Sequence, residues 1–313
     1  MAPPPWYTRA DMKRAALSFL VVLSFLCVTQ IAFAADGQFT KDLTVSGTVD
    51  LDVSTGSGDI HVHPGSGNTV HIVGHIHASG WASNSEEKIK RIEQNPPISQ
   101  MGSLVKIGRI DDPELRRNIS ISYEITAPAN TRVKANTGSG NIDVQGTGGS
   151  LEADTGSGDV NLRDIGAEVH SHTGSGHIRA ENVGAPFVAS TGSGDMDIRL
   201  NAPGDVDVHT GSGGIRVEGA KGSLRAKTGS GDVRANGSPT SNWFVQTGSG
   251  GVTLQLADAS NFDLEASTGS GDLKLSKPVT VQGKLSKHEI HGKVGNGGPK
   301  VEVHTGSGDI EID

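Results

Sequence analysis

The chain has 313 residues, 44 of them Gly, a single Cys and a formal net charge of −8. A mild acidity with interspersed signs leaves no electrostatic footprint for nucleic acid, and one cysteine excludes a disulfide framework. Aromatics make up 4% of the chain, and with so much Gly the composition favours short strands joined by many turns.

Residues 1–34 read as a leader and signal peptide. Lys13 and Arg14 precede an apolar run, Ala15 to Phe33, that closes on Ala32-Phe33-Ala34. A charged start, an apolar centre and a small-residue site form a secretory signal, with cleavage expected after Ala34. Met12 offers a second start, and an uncleaved membrane anchor is the rival reading. Cys27 follows Phe25 and Leu26, which are too large for a lipobox, so cleavage leaves a chain without cysteine. The mature chain, 35–313, is expected to have no membrane span.

From Phe39 to Ala78 the text alternates, with Leu43, Val45, Val49, Leu51 and Val53 on one parity and a turn at Pro64-Gly65-Ser66-Gly67. Residues 79–118 break this pattern and read as an irregular insertion or cap. Asn84-Ser85-Glu86-Glu87 opens a short helix through Ile89 and Ile92 that Pro96-Pro97 ends. A strand at Leu104–Ile107 and a loop at Asp111-Asp112-Pro113 follow.

Beyond Ile119 the chain is organised by Thr-Gly-Ser-Gly. It occurs ten times, at Thr55, Thr137, Thr155, Thr173, Thr191, Thr210, Thr228, Thr247, Thr268 and Thr305. The spacing is 18 or 19 residues from Thr137 to Thr247 and then 21 and 37. A fixed period of this size marks one supersecondary unit stacked many times. Positions four and two before each Thr, and five and seven after it, are apolar in all copies except at Ser171. Each side of the turn therefore reads as a strand with one buried face. The parity changes across Gly-Ser-Gly, where glycine absorbs the extra residue.

An antiparallel meander would expose its apolar face, whereas a solenoid folds that face onto itself. The expected fold is all-β: a parallel β-solenoid of the single-stranded β-helix kind with coils of roughly 18–19 residues, right-handed by crossover chirality. About eight to ten coils spaced by about 4.8 Å make a stack about 40–50 Å long. After Lys277-Pro278 an irregular coil is expected, with Gly295-Asn296-Gly297-Gly298 as its turn. Glu311-Ile312-Asp313 is then an open edge whose acids discourage end-to-end stacking, so a monomer or weak self-association is expected.

Three segments together resemble a known family. They are Ile-Ser-Tyr-Glu-Ile-Thr-Ala-Pro-Ala-Asn-Thr-Arg-Val from Ile119, the iterated Thr-Gly-Ser-Gly-Asp-Val, and Gly-Lys-Val-Gly-Asn-Gly-Gly-Pro-Lys-Val-Glu-Val-His-Thr-Gly-Ser-Gly-Asp-Ile near the end. The pattern, from about Leu51 to Asp313, is similar to the bacterial "putative adhesin" family of β-strand repeats. The resemblance implies a β-solenoid cell-envelope protein without assigned catalytic residues. The His-rich first coil departs from the family pattern.

Several side chains invite a chemical reading. The Ser of Gly-Ser-Gly recurs identically in every copy, while a nucleophile needs one Ser held by one His and an acid; a structural use is expected. The position after the turn is Asp59, Asn141, Asp159, His177, Asp195, Gly214, Asp232, Gly251, Asp272 and Asp309. A calcium column would not accept His and Gly there, so turn capping is preferred to calcium-binding repeats. No Gly-Lys-Ser/Thr follows the glycines, which removes a phosphate loop. His61 and His63 share one strand face, and His75 and His77 share another. If those strands are neighbours, the four imidazoles form a transition-metal site; otherwise they are a solvated polar face.

No cofactor is implied. The function expected is an exported, non-catalytic adhesin or envelope-binding protein, located in the periplasm, cell envelope or outside the cell. Its partner is a cell-surface, glycan or envelope protein ligand of unknown identity. The alternatives are a periplasmic scaffold or sensor partner, a metal-binding repeat protein, and a polysaccharide-acting β-helix enzyme. A groove in which three or more charged side chains from different coils converge is the feature that favours an enzyme.

Overall fold

The computed structural model describes residues 35–79, 84–281 and 286–313. The expectations for the leader, including Met12, Cys27 and cleavage after Ala34, lie outside the described residues. No helix among the described residues is long and apolar enough to cross a membrane.

Each coil contributes an arm before its Gly corner, here arm A, and an arm after it, arm B. Arms A pair in parallel: Leu151–Thr155 with Val169–Thr173, then Phe187–Ser193, then Val206–Ser212. Arms B do likewise through Val160–Ile165, Ile178–Val183 and Met196–Leu200. Thr155, Thr173 and Thr191 are stacked in register. The result is an all-β, solenoid-like sheet of mostly parallel strands, with the apolar columns inside. All forty inward positions are buried except Leu273 and Leu275, which are half-buried because their coil ends the stack.

The strands close at the second corner through a feature the periodicity does not reveal. Gly146, Asp164, Asn182 and Gly219 take positive φ, between 56° and 78°. The residue after each, Thr147, Ile165, Val183 or Ala220, turns inward and is buried. These are residue types that tolerate the left-handed region, and they add a further inward column.

At the Gly corner the coils meet backbone to backbone. A Cβ on Gly158 would lie 1.9 Å from the carbonyl oxygen of Gly140 one coil away, and one on Gly156 would lie 2.5 Å from that of Gly138. The Thr hydroxyls run along the same seam. Thr155 donates to Gly140 O at 2.8 Å, Thr173 to Gly158 O at 2.9 Å and Thr191 to Gly176 O at 3.0 Å. All ten motif threonines are buried and all ten donate across coils, Thr55 doing so to Ile121 O. Each such bond contributes on the order of 1 kcal/mol, and an unmet buried carbonyl would cost more.

The order of coils departs from the order of the chain at both ends. Strand Lys300–Ser307 lies between Val233–Ser249 and Phe262–Thr268, and Ile310–Ile312 lies between Val252–Leu256 and Leu273–Leu275. The expectation of an open edge at Glu311-Ile312-Asp313 is therefore wrong. The last coil is interior, because its Thr-Gly-Ser-Gly matches both neighbours and gains a ladder on each side. The edge falls instead at Leu273–Leu275. The irregular coil expected after Pro278 is an antiparallel ribbon: Glu289–Val294 runs back along Phe262–Thr268 and pairs with Val279–Val281.

At the other end the coil Asp50–Gly65 is also interior. Leu104–Ile107 and Ile119–Pro128 cover one side of it, Arg132–Ser139 and Ile142–Gln145 the other. Ile119–Pro128 then pairs antiparallel with Thr69–Ala78, which pairs antiparallel with Ala35–Thr44. The expected helix is found at Ser85–Gln94, with Ile89 and Ile92 buried. Its Glu93 accepts a 3.0 Å hydrogen bond from the Gln38 N–H. The expected loop at Asp112-Pro113 is a short helix, Pro113–Arg116, capped by Asp112.

Two stability predictions follow from the seam and the core. Gly56 holds the same motif position as Gly156, yet a Cβ there meets nothing within 4 Å. Gly156→Ala is expected to lower stability by about 1–3 kcal/mol, and Gly56→Ala to change it by less than about 0.5 kcal/mol, in denaturant melts of the two variants. Ser171 is the polar exception in the columns; its hydroxyl is buried without a hydrogen-bond partner, and Ala153 and Ala189 flank it in register. Ser171→Ala should therefore stabilise the fold by about 1 kcal/mol, and a lowered melting midpoint would contradict this account of the core.

Candidate functional site

The four histidines lie on the outer face but are not brought together. His61 and His63 are on Ile60–Gly65, His75 and His77 on Thr69–Ala78, and Ile119–Pro128 runs between these strands. The register also offsets them: His61 is opposite Glu124 and His63 opposite Thr126, while His75 is opposite Ser122 and His77 opposite Ser120. The condition for a shared site, that the two strands are neighbours, is not met. His77 Nδ1 sits 2.7 Å from Asp36 Oδ1, and His75 Nε2 sits 3.6 Å from Glu124 Oε1. The His61 and His63 rings lie parallel at 6.4 Å. Among the described residues no group of three or more His, Cys, Asp or Glu side chains is arranged to hold a metal.

The column after the turn has a backbone role. Asp59 Oδ1 accepts from the Asn141 N–H at 2.7 Å, Asn141 Oδ1 from Asp159 at 2.9 Å, and Asp159 Oδ1 from His177 at 2.8 Å. His177 Nδ1 then accepts from Asp195 at 3.0 Å. Any short side chain with an acceptor serves here, which explains why Asn and His alternate with Asp; Gly214 and Gly251 receive the bond through their N–H groups but pass none on, so the ladder is interrupted there. The column is a second seam.

Among the described residues one Ser–His–acid relay is assembled, at a Ser the motif does not contain. Ser267 Oγ is 2.7 Å from His304 Nδ1, and His304 Nε2 is 2.8 Å from Glu302 Oε1. Lys300 Nζ bridges Glu302 and Glu265 at 2.8 Å each. These residues meet because the last coil threads beside Phe262–Thr268, so sequence spacing carried no signal for them. The relay lacks an anion-stabilising partner: the Thr268 and Gly269 N–H groups are spent on His288 O and Thr305 O. Glu289 stands opposite Ser267, where its charge would oppose a developing oxyanion.

Charged side chains do converge in one groove. It is lined by Asp50, Asp52, Arg132, Lys134, Glu152 and His170, from four stacked coils. They are neutralised in pairs. Arg132 forks onto Asp50 at 2.5 and 2.9 Å, Lys134 Nζ meets Glu152 at 2.6 Å and His170 Nε2 meets Glu168 at 2.8 Å. The Arg132 hydrogen bond holds the Asp50 carboxyl below the usual range. Beside the groove, Asp154 goes the other way: desolvation pushes its carboxyl up, aided by the charge of Glu152. Hydrogen bonds from Lys300 and then His304 hold Glu302 down.

A different grouping occupies arms A further along. Arg225, Phe244 and Glu302 are in register, as are Lys227, Gln246 and His304. Arg225 Cζ lies 5.6 Å and Lys227 Nζ 4.9 Å from the centre of the Phe244 ring, and the His304 ring lies 6.0 Å away, tilted by 55°. Sequence reasoning passed over Phe244, although it is the sole aromatic ring three residues before any motif Thr, His170 aside.

The carboxylates lead to a pH prediction. A lowered folded pKa contributes stability that is full above the ordinary carboxylate range and lost as pH falls through it. Glu302→Gln should therefore flatten the acid limb of the stability profile. A raised folded pKa has the opposite sign, its penalty growing as pH rises from the ordinary value through the folded one. Asp154→Asn should raise the melting temperature near neutrality and change it little in acid. Melts between about pH 3 and pH 7 span both groups.

The family profile described as Toastrack DUF4097 matches residues 34–203 and again residues 114–313. A search of curated proteins finds no match. Among solved structures, a "putative cell adhesion protein" from Clostridium sporogenes is 12% identical, with 89% of this chain and 99% of that one covered and a TM-score of 0.23. A "putative lipid binding protein" from Parabacteroides distasonis is 10% identical, covering 88% and 97%, with a TM-score of 0.32. A "putative adhesin" from Bacteroides fragilis is 9% identical over the same shares, with a TM-score of 0.34.

Proposed function

We propose that this chain, which belongs to the Toastrack DUF4097 family, is an exported, non-catalytic β-solenoid that presents a binding surface at the cell envelope or beyond it. The observation that carries this reading is the division of labour within a coil. Inward and corner positions repeat nearly unchanged, because the seam demands Thr and Gly and most coils add a side-chain acceptor after them. Outward positions change from coil to coil: Glu152 and Asp154, then His170 and His172, later Arg225 and Lys227, then Phe244 and Gln246. A scaffold that holds its backbone constant and varies only its exposed side chains suits recognition.

Two features support the non-catalytic part. The charges of the groove are paired off, and the Ser267 relay has no donors aimed at an oxyanion. The signal-like leader supports export, since Ala32-Phe33-Ala34 ends an apolar run of the right length. The coils are the 18–19-residue units of the repeat, and right-handed winding is the form that crossover chirality favours. The second reading is a periplasmic scaffold or sensor partner, which the same variable faces would serve.

Surface biotinylation of intact cells, with mass analysis of the recovered protein, tests the proposal. The expected result is a labelled chain beginning at Ala35. Protein confined to the periplasm would replace the adhesin reading with the scaffold one. An unprocessed cytoplasmic chain would defeat export, and turnover of a glycan substrate would defeat both non-catalytic readings.

A further inference from the structure

Phe244 is the outward-facing Phe, Tyr or Trp among the described residues; Phe39, Tyr123, Phe187, Trp243 and Phe262 are all buried. It is flanked by two cations, Arg225 and Lys227, that have no carboxylate within 4.0 Å among the described residues. Elsewhere on the same face the cations are matched: Arg132 by Asp50, Lys134 by Glu152, Lys300 by Glu265 and Glu302. Two acids border the patch. Glu302 is already engaged by Lys300 and His304. Asp207 is in register with Arg225 but forms no ion pair with it. In a chain of net charge −8, a spot with two unmatched cations around a half-buried, outward-facing aromatic ring is an electrostatic exception.

The row that runs through this spot is made of hydrogen-bonding groups. Ser190, His209, Lys227, Gln246, His304 and Ser267 follow one another across adjacent arms A, each in register with the next. The surface is open and linear, unlike the enclosed pocket that a small ligand requires. An aromatic face takes the C–H side of a sugar ring, an Arg fork takes a carboxylate with two parallel hydrogen bonds, and the flanking row takes hydroxyls. A polyphosphate would need many cations to be neutralised, and this face offers two.

We propose that this face binds an acidic polysaccharide, with one uronate ring on Phe244 and its carboxylate between Arg225 and Lys227. The inference rests on the binding-surface reading above and names the ligand class of one of its faces.

The test titrates the full chain with polygalacturonate, its fully methyl-esterified form, polyphosphate and vesicles of anionic phospholipid. The expected result is binding of polygalacturonate at least about tenfold tighter than the ester, corresponding to about 1.4 kcal/mol. Arg225→Gln and Phe244→Ala should each weaken it by about tenfold or more, with unchanged melting temperatures, while Lys134→Gln leaves it unaltered. Equal binding of acid and ester, or binding indifferent to Arg225→Gln, would overturn the site while leaving the wider binding reading intact. Preference for polyphosphate or vesicles would overturn the ligand class. No binding of any of the four overturns the proposed site, and the localisation experiment then judges the wider reading separately.

Discussion

The close approach of successive coils at the Gly-Ser-Gly corner is the constraint on which the rest depends. With a carbonyl oxygen 1.9–2.6 Å from where a Cβ would stand at every motif glycine of the corner except Gly56, a side chain does not fit without displacing the neighbouring coil. The same approach brings each Thr hydroxyl within hydrogen-bond reach of the next coil's carbonyl, and it aligns the Asp, Asn and His acceptors with the next N–H. One short contact thus sets register for both arms. A slip of one residue would turn every apolar column outward and break both seams together.

Because that register signal is identical in every copy, it specifies that coils stack but not which coil stacks on which. The ends of the array show the consequence. The coil Lys300–Asp313 takes a place between two earlier neighbours, and Asp50–Gly65 is enclosed by segments that follow it in the chain. An interior position gives a coil two ladders in place of one. The exposed ends are finished mostly by elements without the motif, antiparallel ribbons and a helix whose Ile89 and Ile92 are buried, while Leu273–Leu275 of the Thr268 coil remains a short open edge. Antiparallel finishing strands do not offer the parallel, motif-matched surface that another coil would need, which limits runaway stacking.

The same geometry separates structure from function on each coil. Inside, the side chains are confined to a few types by packing and by the seams. Outside, alternate residues face solvent and are free of those demands, so charge and aromatic character differ along the face. Three groupings arise on arms A: a neutralised groove near Arg132, an unmatched cation–aromatic patch at Phe244 and a hydrogen-bonded relay at His304. Their differences lie in pairing. Matched charges stabilise the sheet surface modestly, whereas the unmatched ones at Arg225 and Lys227 remain available to a ligand.

The amino-acid sequence by itself determined the all-β class, the solenoid-like stacking, the inward columns and the helix near Ile89, because each depends on local period and on residue types with few conformational options. It did not reveal the inward column at Ile165 and Val183, since a left-handed Asp164 or Asn182 shifts parity in a way that periodicity alone does not register. Only the tertiary structure decided the coil order, the antiparallel ribbons and the separation of His61 and His63 from His75 and His77. It also decided the meeting of Ser267 with His304. Those outcomes turn on which of several equivalent edges pair, and chemically identical edges carry no local mark of their partner; the choice is made by the total number of ladders satisfied when the whole chain is folded.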